Sequence, residues 1–401
     1  HPEGIIKEAE ELLAKTYNGK KGYFMVNGSS GGNLISIFSA FNEGDEVIVE
    51  RNCHKSIYNG LILRKLKVTY INPIIDKERD IFLPPNKEKI YEALKKSKKA
   101  KGIILTSPNY FGISYQLEGL KVIVDAAHGA HYGINKRLPK NISNLADYTI
   151  LSAHKTIPAL TQGGYLIVND DNENVEFYKN AFLTTSPSYL LMASLDYARY
   201  YLDEYGDKDY EELINRAETW KEKINNLKKV HIYSKEDLKE GYEFDLSRYL
   251  MILPKNYSGH KLHSYLRSRK IQAEMSFSRG VVLILSPFNE DCDFRKIYEA
   301  IENLEIDSIK EENSCNFFEI SPKKVLEPFE VFKKQGKLCK IEESVGLIAK
   351  EAIIPYPPGI PLVCQGEIIT QDAINIVKSY INNKKDVIGL YKDSFKVIDT
   401  E

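Results

Sequence analysis

Cysteine is scarce in this 401-residue chain; the five present (Cys53, Cys292, Cys315, Cys339 and Cys364) are odd in number, widely spaced and form no C-x-x-C pair. That excludes a disulfide framework and points to a reduced, cytoplasmic compartment, with each thiol packed as a small buried hydrophobe. Long apolar runs are missing too. Stretches such as Tyr249–Pro254 and Val281–Pro287 fall far short of the ~20 residues that span a bilayer, so no membrane partner is expected. Neither sign of charge is in excess, with 55 lysines and arginines against 56 aspartates and glutamates. This argues against nucleic acid as a partner. The chain opens at His1 in HPEG, without an initiator methionine; no secretory leader is expected, and an N-terminal segment is expected to be missing.

What is present is an ordinary globular composition, 43% hydrophobic and 28% charged, long enough for two or three compact units. Short β runs alternate with helical patterns through the first half. The runs are Gly22–Val26, Val47–Glu50, Val68–Ile71, Gly102–Thr106, Lys121–Asp125 and Tyr148–Ser152, with helices to about Phe41, over Lys55–Leu66 and over Lys87–Lys98. Such alternation predicts an α/β fold with a doubly wound, mostly parallel sheet. The connection from Thr106 to Lys121 leaves room for only a turn or two of helix. Two strong helices follow over Ser188–Leu202 and Tyr210–Leu227, then strands at Tyr249–Leu253 and Val281–Leu285 between helices near His260–Ser268 and Asp293–Leu304. We read residues 1–205 as the major domain, 206–310 as a smaller α+β domain and 311–401 as a C-terminal domain. The charged stretch Glu305–Ser314 is the expected linker.

Three stretches carry chemistry. NGSSGGN (27–33) follows a strand and opens a helix, so its hydroxyls and free N–H groups make either an anion seat or a plain strand-to-helix turn. It matches neither the Walker A pattern nor the G-x-G-x-x-G turn. VIVDAAHGAH (122–131) ends an apolar strand at Asp125, which must find a cationic partner or serve as a turn residue. His128 and His131 have metal-like H-x-x-H spacing, but no third ligand completes a set and no metal is expected. LSAHKTIPALTQGG (151–164) places Lys155 at the next strand end beside Ser152 and His154. A lysine at one strand end, an aspartate at its neighbour and a phosphate seat between them suit pyridoxal 5'-phosphate. The lysine forms the Schiff base, and the aspartate keeps the ring nitrogen protonated.

With VNGSSGGN, ERNCHKSIYNG, SPNYFGISY, VDAAHGAHYG, SAHKTIPALTQGG, TTSPSYLLMASLD and PYPPGIP, the chain resembles the bacterial ornithine/lysine/arginine decarboxylases, short form, which are fold-type I pyridoxal-phosphate enzymes. The resemblance implies Lys155 as the Schiff-base lysine and Asp125 as partner of the ring nitrogen. It implies His54 stacked on the cofactor ring, Ala127 on the opposite face, and Ser29, Ser30, Ser152 and His154 around the phosphate. Thr184 is expected to reach the phosphate site of a second subunit, making a homodimer with shared active sites. Glu367 is expected to face the substrate entrance, and His128 is a further candidate for substrate contact. The chain departs from the family at Asp125-Ala126-Ala127-His128-Gly129, where a glutamate usually follows the aspartate.

The expected activity is decarboxylation of arginine, lysine or ornithine to the corresponding polyamine or polyamine precursor. Carbon dioxide leaves the substrate, and Lys155 or His154 returns a proton to Cα. Two other readings share these residues: another fold-type I enzyme (aminotransferase or aldolase), and a non-catalytic relative retained for binding.

Overall fold

The computed structural model describes residues 3–115, 122–311, 320–356, 359–382 and 385–399. Seven strands build the central sheet: β1 (Lys21–Met25), β2 (Glu46–Glu50), β3 (Lys67–Ile71), β4 (Ala100–Thr106), β5 (Val122–Asp125), β6 (Tyr148–Leu151) and β7 (Gly164–Val168). They lie in the order β1-β7-β6-β5-β4-β2-β3. β2 runs parallel to β3 and β4, and β4, β5 and β6 continue in parallel. Only β7 is reversed, antiparallel to both β6 and β1.

Both faces of this sheet are covered, which is why the central strands read as unbroken apolar runs. Every residue of β5, β6 and β7 is buried. Within β2 the side chains alternate between two cores, Ile48 toward one and Val47 and Val49 toward the other, as the period of two requires. Helices α1 (Gly28–Ala40) and α2 (Lys55–Leu63) close the second core with Ile35, Ile37, Ile57 and Leu61. The parallel arrangement brings the carboxyl ends of β2, β4, β5 and β6 to one edge of the sheet, the edge where open α/β sheets hold ligands.

The expected strands appear within a residue or two of their predicted positions. β7 was not among them, nor were the short hairpin of Ile74–Asp76 with Ile81–Leu83 and the pairing of Ile113–Tyr115 with Tyr242–Phe244. That last pair replaces the expected turn of helix after Thr106. The Asn109 side chain accepts hydrogen bonds from the N–H groups of Phe111 and Ile113, and Gly112 has φ +82°, so a tight turn forms instead. Residues 116–121 lie outside the described residues, as do Cys315 and the end of the expected linker. The described start of that linker is anchored: Ile309 is buried, and Tyr257 bridges to Lys310.

Beyond the sheet, strands β8 (His231–Ile232), β9 (Arg248–Ile252), β10 (Met275–Phe277) and β11 (Gly280–Ile284) form a second, antiparallel sheet in the order β8-β9-β11-β10. Helices Asp207–Asn226, Gly259–Ser268 and Asp291–Glu302 accompany it. The last part of the chain has its own apolar core of Ile353, Val363, Ile374, Val377 and Val397, beneath helix Gln371–Asn382 and a small sheet that includes Gly336–Lys340 and Ser394–Ile398.

Candidate active site

The carboxyl edge of the central sheet holds a cavity of about 220 Å³. Nine of the residues singled out in the sequence line it: Ser29, Ser30, His54, Asp125, Ala127, His128, Ser152, His154 and Lys155. Asp125 closes β5 and is 3% exposed. Its Oδ2 accepts from Asn33 Nδ2 at 2.9 Å and its Oδ1 from the N–H of Ala127 at 3.2 Å. Both donors are neutral, so this buried carboxylate has uncompensated charge to offer a cation in the cavity.

Lys155 sits in the single helical turn Ala153–Thr156 that follows β6. Its Nζ lies 3.1 Å from Nε2 of His128. Burial pushes the amine below its ordinary range, with Asp125 and Glu274 opposing that shift and Arg248 adding to it. Burial, followed by the charges of Arg248 and Lys155, holds His128 well below the usual imidazole range. The neutral ring therefore accepts from Lys155 through Nε2 or donates to it, according to its tautomer.

The candidate anion seat is approached from two directions. Ser152 Oγ donates to Ser29 Oγ at 2.8 Å, joining the end of β6 to the first turn of α1, where unpaired backbone N–H groups point outward. The glycine pair makes this approach possible. A side chain on Gly164 would meet Leu151 O at 2.8 Å and Ser29 N at 3.3 Å, while the carbonyl of Gly163 lies 2.6 Å from His154 Nδ1 and accepts a bond from it. His54 caps α2, its Nδ1 accepting from the N–H of Ser56 at 3.2 Å, which fixes the ring in the cavity wall. Ala127 supplies the small side chain that leaves room for a flat ligand.

These features fit pyridoxal phosphate: a desolvated amine, a buried carboxylate with only neutral partners, paired hydroxyls at a helix N-terminus, and an imidazole in the wall. The two histidines of the H-x-x-H motif part company. His131 Nε2 lies 3.0 Å from Asp245 Oδ2, while His128 faces Lys155. Among the described residues no cluster of three or more His, Cys, Asp or Glu side chains is placed to hold a metal.

Two expected site residues lie elsewhere. Glu367 does not face an entrance: it is 1% exposed and forms a bidentate ion pair with Arg51. Burial where the C-terminal part of the chain meets the turn after β2 dictates this, because a carboxylate there needs a cation. Thr184 is exposed and lines no part of this cavity within one chain; its Oγ1 accepts from the N–H of Ser186 at 3.1 Å. Ala126, at the position where the family usually has glutamate, lines a separate cavity with Tyr132 and Asn141.

Sequence reading did not assign a role to Asn33, Tyr110, Arg248 or Glu274. Asn33 stands in NGSSGGN, and its spacing from the helix start is the signal that would have found it. Glu274 carries no local signal. It reaches the region through the second sheet and lines, with Asn52, His54 and Tyr110, a larger cavity of about 770 Å³. The two cavities share Asn52, His54 and Tyr110 as walls.

Comparison with known proteins decides the family. Residues 1–265 match the Orn/Lys/Arg decarboxylase major domain, and residues 311–390 match the C-terminal domain of the same family. The chain belongs to the Orn/Lys/Arg decarboxylase family. Over 98% of its length it is 33% identical to the Bacillus subtilis uncharacterized protein YaaO, covering 85% of that protein. It is 30% identical to a B. subtilis arginine decarboxylase, covering 94% of this chain and 81% of the relative. The Francisella novicida lysine decarboxylase LdcF superposes with a TM-score of 0.85 at 18% identity, covering 98% of this chain and 72% of that one. A lysine decarboxylase from Pseudomonas aeruginosa gives 0.84 at the same identity. The fold of this family member is the fold-type I architecture of pyridoxal-phosphate enzymes.

Proposed function

We propose that this chain decarboxylates a basic α-amino acid (arginine, lysine or ornithine) with pyridoxal phosphate held on Lys155. The observation that carries the proposal is that one small cavity is faced by both the desolvated amine of Lys155 and the buried carboxylate of Asp125, with the Ser29–Ser152 hydroxyl pair beside them. Substrate class rests on the adjoining larger cavity. Glu274 lines it, and its negative charge is felt at Lys155, so a substrate extending from the small cavity presents its distal cation to a carboxylate. The product is a diamine or agmatine, a polyamine or its precursor.

Asp125 would supply negative charge to the ring nitrogen of the bound cofactor, and Asn33 holds that carboxylate in position. Ser29, Ser30, Ser152, His154 and the N–H groups opening α1 hold the phosphate. His54 and Ala127, in the cavity wall, would bound the ring. When bound, the cofactor supplies an electron-withdrawing ring that receives the electron pair left as carbon dioxide departs. Lys155 then delivers a proton from Nζ to the substrate α-carbon; burial, which makes its ammonium unfavourable, suits it to that task. His154 is the second candidate donor.

The working unit we propose is a homodimer with shared sites. Helix Tyr189–Tyr201, which follows Thr184, leaves Tyr189 and Leu190 each 71% exposed and Tyr197 60% exposed, an apolar face suited to a second copy. We place the enzyme in the cytoplasm, a reading supported by the free thiols of Cys53, Cys292, Cys339 and Cys364.

The test is carbon dioxide release from arginine, lysine and ornithine, each offered to chain loaded with pyridoxal phosphate. Borohydride fixation in parallel should place the cofactor on the peptide containing Lys155. Fixation there without release from any of the three would refute the activity while keeping the site, and would favour a non-catalytic relative or another fold-type I reaction.

A further inference from the structure

Arg248 is fully buried at the start of β9, in the second unit, yet each arm of its side chain ends on a neighbour of the Lys155 cavity. Nη1 donates to the carbonyl of Tyr110 and Nη2 to the carbonyl of His128, both at 3.2 Å. Nε donates to Asp245 Oδ2 at 3.1 Å. The same carboxylate takes His131 Nε2 at 3.0 Å, and its Oδ1 accepts the N–H and Oγ of Ser247 at 2.9 and 2.5 Å. Asp245, Ser247 and His131 are each at most 2% exposed.

A buried guanidinium is costly unless its donors find acceptors, and here Nη1 and Nη2 go to two backbone carbonyls of the cavity wall and Nε to Asp245. Gly112 makes the passage: a Cβ there would lie 2.5 Å from Arg248 Cδ. The two residues so fastened are in turn packed together, the Tyr110 and His128 rings lying 5.0 Å apart edge to face, and His128 Nε2 is the group 3.1 Å from Lys155 Nζ. A one-ångström drift of His128 would break that contact.

We infer that Arg248, braced by Asp245 and His131, is a positioning residue that fixes His128 and Tyr110 against Lys155, so that the second unit sets the orientation and proton affinity of the reacting amine. The inference rests on the reading of Lys155 as the reacting lysine. The charged and titratable groups acting on that amine are Asp125, Glu274, Arg248 and His128. Arg248→Lys keeps the charge but loses the three-way fork, which separates placement from simple electrostatics.

The experiment uses the full chain without cofactor. Acetylation of Lys155 by acetic anhydride is followed by peptide mass spectrometry across a pH series, with thermal unfolding measured on the same samples. Arg248→Lys should move the midpoint for Lys155 by about half a pH unit, a roughly threefold change in labelling at fixed pH. His128→Gln should move it in the same direction, and the double variant should match His128→Gln alone, because Arg248 acts through His128. If Arg248→Lys fails to fold, the isosteric Asp245→Asn takes its place in the same cycle and should show the same dependence on His128. An unmoved midpoint in a folded variant, or shifts that simply add, would overturn the inference. Borohydride fixation on another lysine would remove the functional reading while leaving this coupling measurable.

Discussion

Replacing Glu367 by alanine should loosen the C-terminal part of the chain from the central sheet. Glu367 Oε2 receives Arg51 Nη1 at 2.9 Å and the N–H of Cys364 at 2.7 Å, and Oε1 receives Arg51 Nη2 at 2.5 Å. Arg51 is 4% exposed, directly follows β2, and without the carboxylate keeps only neutral partners: Asn72 through Nε, Cys364 Sγ and the Pro361 carbonyl through Nη1, and the Tyr70 ring face. Breaking one member of a buried pair leaves an uncompensated charge and costs about 3–5 kcal/mol. At about 1.4 kcal/mol per factor of ten, opening of this junction becomes roughly a hundred to several thousand times more frequent. Amide hydrogen exchange in Gly336–Lys340 and Gln371–Asn382 reads that change directly. Glu367→Gln, which retains one acceptor, should fall at the low end. Arg51→Met with Glu367→Leu should recover most of the loss, since removing both charges removes the desolvation penalty. The damage extends to the site: the carbonyl of Arg51 accepts Tyr58 Oη at 2.7 Å, and the turn that follows Arg51 presents His54. Exchange within threefold of the parent in Glu367→Ala would show that the pair contributes little, and the reasoning would fail.

Asp125→Ala should leave the cofactor able to attach but lower carbon dioxide release by several orders of magnitude, each ~1.4 kcal/mol of lost transition-state stabilisation being tenfold; near-parental turnover would count against its role. The Glu50 carboxyl, buried at the end of β2, is pushed up to about 8, first by burial and then by the charge of Asp125, against the lowering effect of the Thr106 N–H. Unfolded, it ionises near ~4.3. Between those values the folded chain binds a proton the unfolded chain does not, so this group's contribution is fully present below the unfolded value. It is lost as pH rises, by up to about 1.4 kcal/mol per pH unit. Glu50→Gln should flatten the decline in urea midpoint toward pH about 8; parallel slopes in the two proteins would refute it. Mixing inactive Lys155→Ala chains with inactive Thr184→Trp chains should restore part of the activity, because one site of each hybrid dimer then has both native residues. Verified hybrids without activity would defeat the shared site.

The sequence made legible what is local. Val47–Glu50 and Val122–Asp125 show their strands because both faces are buried, and Asp125 and Lys155 show their chemistry because each stands where such a strand stops. β7 escaped notice for the complementary reason: Gly164–Val168 directly follows the cavity loop, and a reversed strand between two others leaves no helical crossover to announce it. Glu367 was misplaced because the partner that buries it is 316 residues away; a motif fixes a residue type, while burial depends on what packs over it. Arg248 and Glu274 were silent on the same ground, arriving from the second sheet with no sequence neighbour in the site.

That division has a physical consequence for how the site works. The groups legible in the sequence (Ser29, Asp125, Ser152 and Lys155) all stand on one sheet edge: parallel pairing of β5 with β6 spaces Asp125 from Ser152 and Lys155, and the start of α1 brings Ser29 to Ser152. Apart from Asn33 in α1 and Tyr110 after β4, those that were not legible reach in from other units: Arg248 onto the carbonyls of Tyr110 and His128, Glu274 into the larger cavity, and Glu367 onto the arginine behind His54. Parts on the sheet edge fit a cofactor, and the fold is shared with fold-type I enzymes of different chemistry. On the proposed reading, what separates a decarboxylase of basic amino acids from the rest comes from the reaching groups, which add to what Asp125 and His128 do at the amine and place a negative charge beyond the cofactor cavity. Exchanging Glu274 for glutamine is the direct check. Losing that charge should raise the KM for the basic substrate more than it lowers kcat, because the carboxylate binds the distal cation in ground and transition state alike. An unchanged KM would show that the cation is recognised elsewhere.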